Sequence, residues 1–278
     1  MPAAAAGTMP AGPLLLLGCG KMGGALLRGW LARGLKPATV AVVEPNPAAM
    51  ADLAGSGVGI VTDLSSLPGD FKPRLVLLAV KPQMMAQVMP GCRRLGGPET
   101  LFLSIAAGKT IAYFEREIGA VPIVRSMPNT PAAVGRGITV ACASARVSSS
   151  QHAAAEALLG AVGEVAWVED ERLLDPVTAV SGGGPAYVFL LIECLAEAGI
   201  AAGLPADLAM RLARVTVSGA GELARLSDEP AAKLRQAVTS PAGTTLEALK
   251  ILMAEDGMKP LFERAIAAAT LRSRELAE

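Results

Sequence analysis

In the first half of the chain, apolar residues come in short runs with few polar breaks, and the stretches between them carry helical spacing. The runs 14–17, 39–43, 74–80, 100–104, 122–125, 137–143 and 164–168 read as strands, largely apolar on both faces. Between most of them, segments 21–32, 47–54, 83–90, 111–118 and 151–162 read as helices. In the first of these, Met22, Ala25, Leu26, Gly29 and Trp30 recur at i, i+3, i+4, i+7 and i+8, one stripe facing a sheet. Such alternation predicts an α/β domain over 14–168 with a doubly wound, mostly parallel sheet.

From about residue 169 the strand runs stop and helical spacing takes over, broken at Gly203-Leu204-Pro205, Asp228-Glu229-Pro230 and Ser240-Pro241. Near the end, Met258, Leu261, Phe262, Ala265, Ile266 and Ala269 form one apolar stripe. Segment 186–201 is apolar nearly all round apart from Glu193 and Glu197, which predicts a buried helix, covered in part by another chain. Residues 169–278 therefore form an all-helical second domain. Residues 1–13 carry no charge and no apolar run of export-signal length, and read as a flexible tail.

Composition narrows the partners. A chain of 278 residues with 52% hydrophobic side chains can bury two cores without staples. Zero net charge, no basic cluster beyond Arg93-Arg94 and 3% aromatic content argue against nucleic acid. No run reaches the roughly 18 uninterrupted apolar residues of a spanning helix, so no membrane partner is expected and a cytoplasmic location is. Cys19, Cys92, Cys142 and Cys194 are scattered and form no CxxC, which suits reduced core thiols. The single histidine, His152, reads as a surface residue in a helix's first turn and leaves no material for a metal centre.

Chemistry enters at the turns. Gly18-Cys19-Gly20-Lys21-Met22-Gly23 is a GxGxxG set between a strand and a helix. Gly18 suits the tight turn, Gly20 lets the backbone approach a pyrophosphate, and Gly23 lets helix and strand close up. Glu44, 26 residues after Gly18, stands where an acid hydrogen-bonds the adenosine ribose, and no lysine or arginine lies between Lys36 and Lys72 to hold a 2'-phosphate. Two further loops, Ala79-Val80-Lys81-Pro82 and 104–108, leave room for a cofactor across the strand ends; Lys81 reads either as a phosphate or substrate contact or as a solvated lysine. Met127-Pro128-Asn129-Thr130-Pro131 is either part of a cleft or a stiff connection. Ser181-Gly182-Gly183-Gly184-Pro185 opens a helix with bare amides, and Ser240-Pro241-Ala242-Gly243-Thr244-Thr245 sets amides and hydroxyls at the start of another.

Taken in order, GCGKMG, LAVKPQ, SIAAG, VRSMPNTP, DPVTAVSGGGPAYVF, GLP, SPAGTTLEAL and a closing RSREL resemble the pyrroline-5-carboxylate reductase family over 14–276. The resemblance implies a Rossmann-like domain followed by a helical dimerisation domain, with a homodimer or larger homo-oligomer. It implies reduction of 1-pyrroline-5-carboxylate to L-proline with NADPH or NADH, the end of proline biosynthesis. Carried onto this sequence, it places the cofactor at Gly18, Gly20, Lys21, Met22, Ala79, Val80, Lys81, Pro82, Ala106, Gly108 and Asn129. It places the substrate at Ser240, Ala242, Gly243 and Thr245, with Thr178 and Ser181 lining the cleft. Thr245 is the expected catalytic contact, its hydroxyl on the ring nitrogen. The chain departs from the family at Gly183, where a serine is usual, and at Ala242, where a glycine is usual. A β-hydroxyacid dehydrogenase, which needs a catalytic lysine in its second domain, and a dinucleotide-binding regulator without a substrate loop are the competing readings. Beyond residue 109 only Lys233, Lys250 and Lys259 occur, none in such a motif, and retention of SGGGPAY and SPAGTT opposes the regulator.

Overall fold

The computed structural model describes residues 9–276 apart from Ala54. Of the expected N-terminal tail, residues 1–8 lie outside that range. Residues 9–13 are held: the Pro13 carbonyl accepts the Arg74 amide at 2.8 Å, and Met9 packs on the core.

Among the described residues the chain divides into two compact units, residues 9–182 with 269–276, and residues 183–268. The first holds an eight-stranded sheet in the order β3-β2-β1-β4-β5-β6-β7-β8. Its elements are β1 (Leu14–Leu17), α1 (Lys21–Ala32), β2 (Val40–Val43), β3 (Gly59–Val61), β4 (Leu75–Leu78), α2 (Met85–Cys92), β5 (Leu101–Ser104), α3 (Ile111–Ile118), β6 (Ile123–Met127), β7 (Gly137–Ala143), α4 (Ser149–Leu159) and β8 (Gly163–Trp167). All pairs are parallel except β6 with β7. Strand order reverses between β1 and β4, and in such sheets ligands gather at the carboxyl ends of the strands flanking that reversal.

Two cores follow from the period of two along the strands. Leu14 and Leu16 of β1 join Leu75 and Leu77 of β4 beneath Leu26 and Trp30 of α1, Leu158 of α4 and Val162 in the turn after it. Leu15 and Leu17 face the other way with Val76 and Leu78, against Met85, Met89, Phe114 and Ile118 of α2 and α3. The buried Trp30 indole donates to the Leu158 carbonyl at 2.9 Å, tying α1 to α4.

Several local expectations change. Of the helix expected over 47–54, Pro47–Leu53 is a pair of 3-10 turns kinked at Met50, and Ala54 lies outside the described residues. Strand β3 escaped notice because it is three residues long, and two of those are exposed. The helix expected over 83–90 starts as a 3-10 turn and continues to Cys92 with Pro90 inside it. His152 is not freely solvated: its ring stacks on Trp167 at 3.7 Å, on a helix whose first turn closes as a Ser148–Gln151 capping box. Of the four thiols, Cys194 is exposed rather than in a core.

After β8, α5 (Leu174–Val177) runs through a π-helical turn, Thr178–Gly182, into α6 (Gly184–Ala201). Helices α7 (Ala206–Leu226), α8 (Ala231–Ala237), α9 (Thr244–Leu252) and α10 (Met258–Glu275) follow. In the helical unit α6 meets α7 through small residues, with Gly199 against Ala209. Of α6 only Ala196 is buried; Val188, Phe189, Leu190 and Leu191 are exposed within one chain. The run Glu171–Ala201 is long and apolar enough, by length and composition, to cross a membrane.

Candidate active site

The glycine loop joins β1 to α1 at the strand-order reversal. Gly18 has φ +87, and a Cβ there would meet the Ala79 carbonyl oxygen at 2.9 Å. A Cβ at Gly23 would run into the Gly18 carbonyl, so only glycine lets α1 sit this close to the strand end. At Gly20, by contrast, nothing lies within 4 Å of an added Cβ. The N-terminus of α1 has no side-chain cap, which leaves amides and the positive end of the helix dipole at that open surface. Tight packing on both sides of an open, amide-rich gap fits a dinucleotide pyrophosphate. Lys21 is exposed and Met22 half-buried beside it.

Around this loop the strand ends assemble what the motifs anticipated. The Gly18 amide donates to Val43, Ala79 to Leu17, and Ile105 to Leu78, so the loops after β1, β4 and β5 share one edge. Ala79 and Val80 are half-buried, Lys81 is exposed, and Pro82 opens a 3-10 turn. Ala106 is buried and Gly108, at φ +72, packs its backbone against that of Leu276. Asn129 has two protein partners: its Oδ1 accepts the Ile138 amide at 3.0 Å, and its Nδ2 donates to Ser181 Oγ at 3.2 Å. Ser181 thus comes beside the β6–β7 loop. Thr178 Oγ1 is turned inward onto the Leu174 carbonyl at 2.7 Å.

Glu44 is held more firmly than the sequence discloses. Its Oε2 accepts the Cys19 amide at 2.7 Å and its Oε1 accepts the Asn46 amide at 2.9 Å. The carboxylate therefore braces the glycine loop and stands as a fixed negative charge at the end of β2. Arg28, on α1, is committed to Asp52 through bonds of 2.7 and 2.8 Å. Cys19, buried in the loop, has its thiol pushed up to about 11 by burial, with Arg28 opposing and Glu44 adding to the shift. It is a neutral packing group, not a nucleophile.

In the helical unit, residues 240–245 form the turn into α9. Ala242 has φ +57, and is the one non-glycine residue with positive φ among the described residues. The amides that open α9 have no side-chain cap, and Ser240 and Thr245 are exposed. A left-handed alanine costs roughly 1–2 kcal/mol, and a glycine gives back about 0.4–1 kcal/mol through the unfolded chain. Ala242→Gly should therefore raise stability by up to about 1 kcal/mol, read as a higher midpoint in a thermal melt; a lower midpoint would contradict strain at this turn.

Sequence reasoning missed a buried charged cluster in the dinucleotide unit. Arg125, on β6 and 4% exposed, donates to Glu171 Oε1 at 2.9 Å and lies 4.0 Å from Asp175 Oδ1. Asp175 accepts from Ser273 Oγ at 2.8 Å. The available signal was an arginine inside a short, buried strand.

A glycine-loop sheet of this topology, with a helical unit carrying an amide-rich turn, defines a dinucleotide-dependent oxidoreductase. Residues 171–276 match the family described as pyrroline-5-carboxylate reductase dimerisation, and residues 14–108 match that described as NADP oxidoreductase, coenzyme F420-dependent. The chain is 40% identical to a pyrroline-5-carboxylate reductase of Pseudomonas aeruginosa, over 95% of this chain and 97% of the relative. Among solved structures it is similar to a pyrroline-5-carboxylate reductase of Coxiella burnetii, with TM-score 0.89, 34% identity, and coverage of 97% of this chain and 100% of that one. It is also similar to a pyrroline carboxylate reductase of Plasmodium falciparum with NADP bound, with TM-score 0.82, 28% identity and the same coverage. The chain belongs to the pyrroline-5-carboxylate reductase family.

Proposed function

We propose that this chain reduces the C=N bond of 1-pyrroline-5-carboxylate with NAD(P)H to give L-proline, the closing step of proline biosynthesis. The observation that carries the reading is its 40% identity to a curated reductase of that name over 95% of the chain. When bound, the reduced nicotinamide supplies the hydride that the imine carbon receives. The protein's own work is orientation and charge. Gly18, Gly20, Lys21 and Met22 hold the pyrophosphate end, while Ala79 to Pro82, Ala106 and Gly108 border the rest. Asn129 acts through its bond to Ser181. In the helical unit, the open amides of residues 240–245 take the substrate carboxylate, and Thr245 Oγ1 hydrogen-bonds the ring nitrogen. A protonated imine already carries its proton on nitrogen, so no side chain has to act as a strong acid. Purified protein should oxidise reduced cofactor only when the imine is present; no imine-dependent oxidation with either cofactor would overturn the reading.

NADH should be used at least as efficiently as NADPH. The Glu44 carboxylate, pinned by two amides, can accept from ribose hydroxyls and repels a 2'-phosphate. No cation lies between Lys36 and Lys72 to offset it. Comparing kcat/KM for both cofactors in the parent and in Glu44→Ser tests this: a shift toward NADPH in the variant is expected, and a strong NADPH preference in the parent would defeat it.

The proposed division of labour gives 14–168 to the dinucleotide and 169–278 to substrate and assembly, in the cytoplasm; the compact units differ from those bounds, since 169–182 and 269–276 pack with the dinucleotide unit. The exposed apolar face of α6 lies within the dimerisation-family region, which favours a second copy of the chain as its cover over a lipid bilayer. A dimer or larger assembly should appear in sedimentation without detergent; an active monomer at assay concentration would rule out assembly as a requirement for activity.

A further inference from the structure

The cofactor loop after β5 is braced from behind by the far end of the chain. The last turns of α10, from residue 269 on, belong to the dinucleotide unit. There the Leu276 carbonyl stands where a Cβ on Gly108 would approach to 2.8 Å, so the two backbones lie in contact. One turn earlier, Ser273 is 5% exposed and donates to Asp175. Asp175 lies 4.0 Å from buried Arg125, and Arg125 holds Glu171 Oε1. That same oxygen accepts the Ile111 amide at 2.8 Å, the first amide of α3, three residues past Gly108. Arg274 Nε also lies 4.0 Å from Asp175 Oδ2. Two positive and two negative groups thus meet here, Arg125 and Asp175 buried, Glu171 half-buried and Arg274 exposed.

We propose that the C-terminal turn, residues 273–276, is a positioning element for cofactor loop 104–108. Leu276 supports the loop directly at Gly108. Ser273 acts at a distance: it orients Asp175, which with Arg125 and Glu171 fixes where α3 begins and hence where the loop ends. Ser273, Asp175 and Arg125 are positioning residues, since none of them needs to touch cofactor or imine. The arrangement accounts for the closing RSREL motif, which the reaction itself does not use. A removed hydroxyl leaves the Asp175 carboxylate short of a buried donor, and the loosened chain is free to shift.

This inference rests on the reading of Ala106 and Gly108 as cofactor neighbours, and the test separates the two. Hydrogen exchange would be followed in the cofactor-free protein, together with fluorescence titration by reduced dinucleotide and the KM for the imine. Three chains would be compared with the parent: Ser273→Ala, Ser273→Thr, and a chain ending at Glu275. In Ser273→Ala the amides of 105–111 should exchange at least tenfold faster, with the β1 and β4 core unchanged. Its dinucleotide Kd should rise five- to tenfold, with the imine KM within twofold. Ser273→Thr should restore both, and the shortened chain should repeat the loop effect through Gly108. Parental exchange in both Ser273→Ala and the shortened chain would overturn the proposal, as would faster exchange spread evenly over the sheet. Faster loop exchange with an unchanged Kd would leave the brace standing and remove 104–108 from the cofactor site.

Discussion

Gly23→Ala should lose dinucleotide affinity by roughly 30- to 100-fold, the largest effect expected from a single methyl group in the glycine loop. The added Cβ points into the Gly18 carbonyl and lies 3.1 Å from Ala79 Cβ, so α1 has to back away from the ends of β1 and β4. Overpacking of this kind costs about 2–3 kcal/mol, and the displaced helix carries its N-terminal amides out of register with the pyrophosphate. Gly20→Ala is the informative companion. Its Cβ meets nothing in the protein, so the melting midpoint should hold while affinity falls by occupation of the approach itself. Fluorescence titration and a thermal melt on both variants separate the two causes. Parental affinity in Gly23→Ala would show that close helix–strand packing does not set the binding surface.

The glycine loop was legible because its demands are local: a turn, an approach and a contact, each met within six residues. The two faces of the sheet were legible for the same reason, since Leu14 to Leu17 alternate sides by strand geometry alone. Glu44 was legible in position but not in posture. Which amides a carboxylate accepts depends on its rotamer and on the return of the Cys19 backbone, and no spacing rule contains that. Arg125 shows the limit more sharply. Its partners lie 46 and 50 residues on, and the Ser273 that bonds Asp175 is 98 further, so the arginine in the strand gave no hint of what neutralised it. Short edge elements also escaped: β3 has three residues and little burial, too few for a pattern to repeat. The exposed face of α6 is the converse case, because a largely apolar helix is plain in sequence while what covers it is not written in its own pattern.

Thr245→Ala should lower turnover by about 10- to 100-fold and leave dinucleotide affinity within twofold of the parent. Thr245 stands at the second position of α9, exposed and beside amides without a side-chain cap, on a turn held by the strained Ala242. A carboxylate bound to those amides fixes one end of a five-membered ring, and a single further contact on nitrogen fixes its rotation. In the role proposed above, the hydroxyl would supply that contact to a protonated imine, where a hydrogen bond to a charged group contributes about 1.5–3 kcal/mol. Because the bond orients the imine carbon toward the incoming hydride, its loss belongs to the transition state, so kcat should fall at least as far as KM rises. Thr245→Ser keeps the oxygen and should retain most of the activity, which separates the hydrogen bond from the packing of the methyl group. A rise in KM for the imine with kcat intact would make Thr245 a binding contact only, and unchanged kcat/KM would remove it from the site.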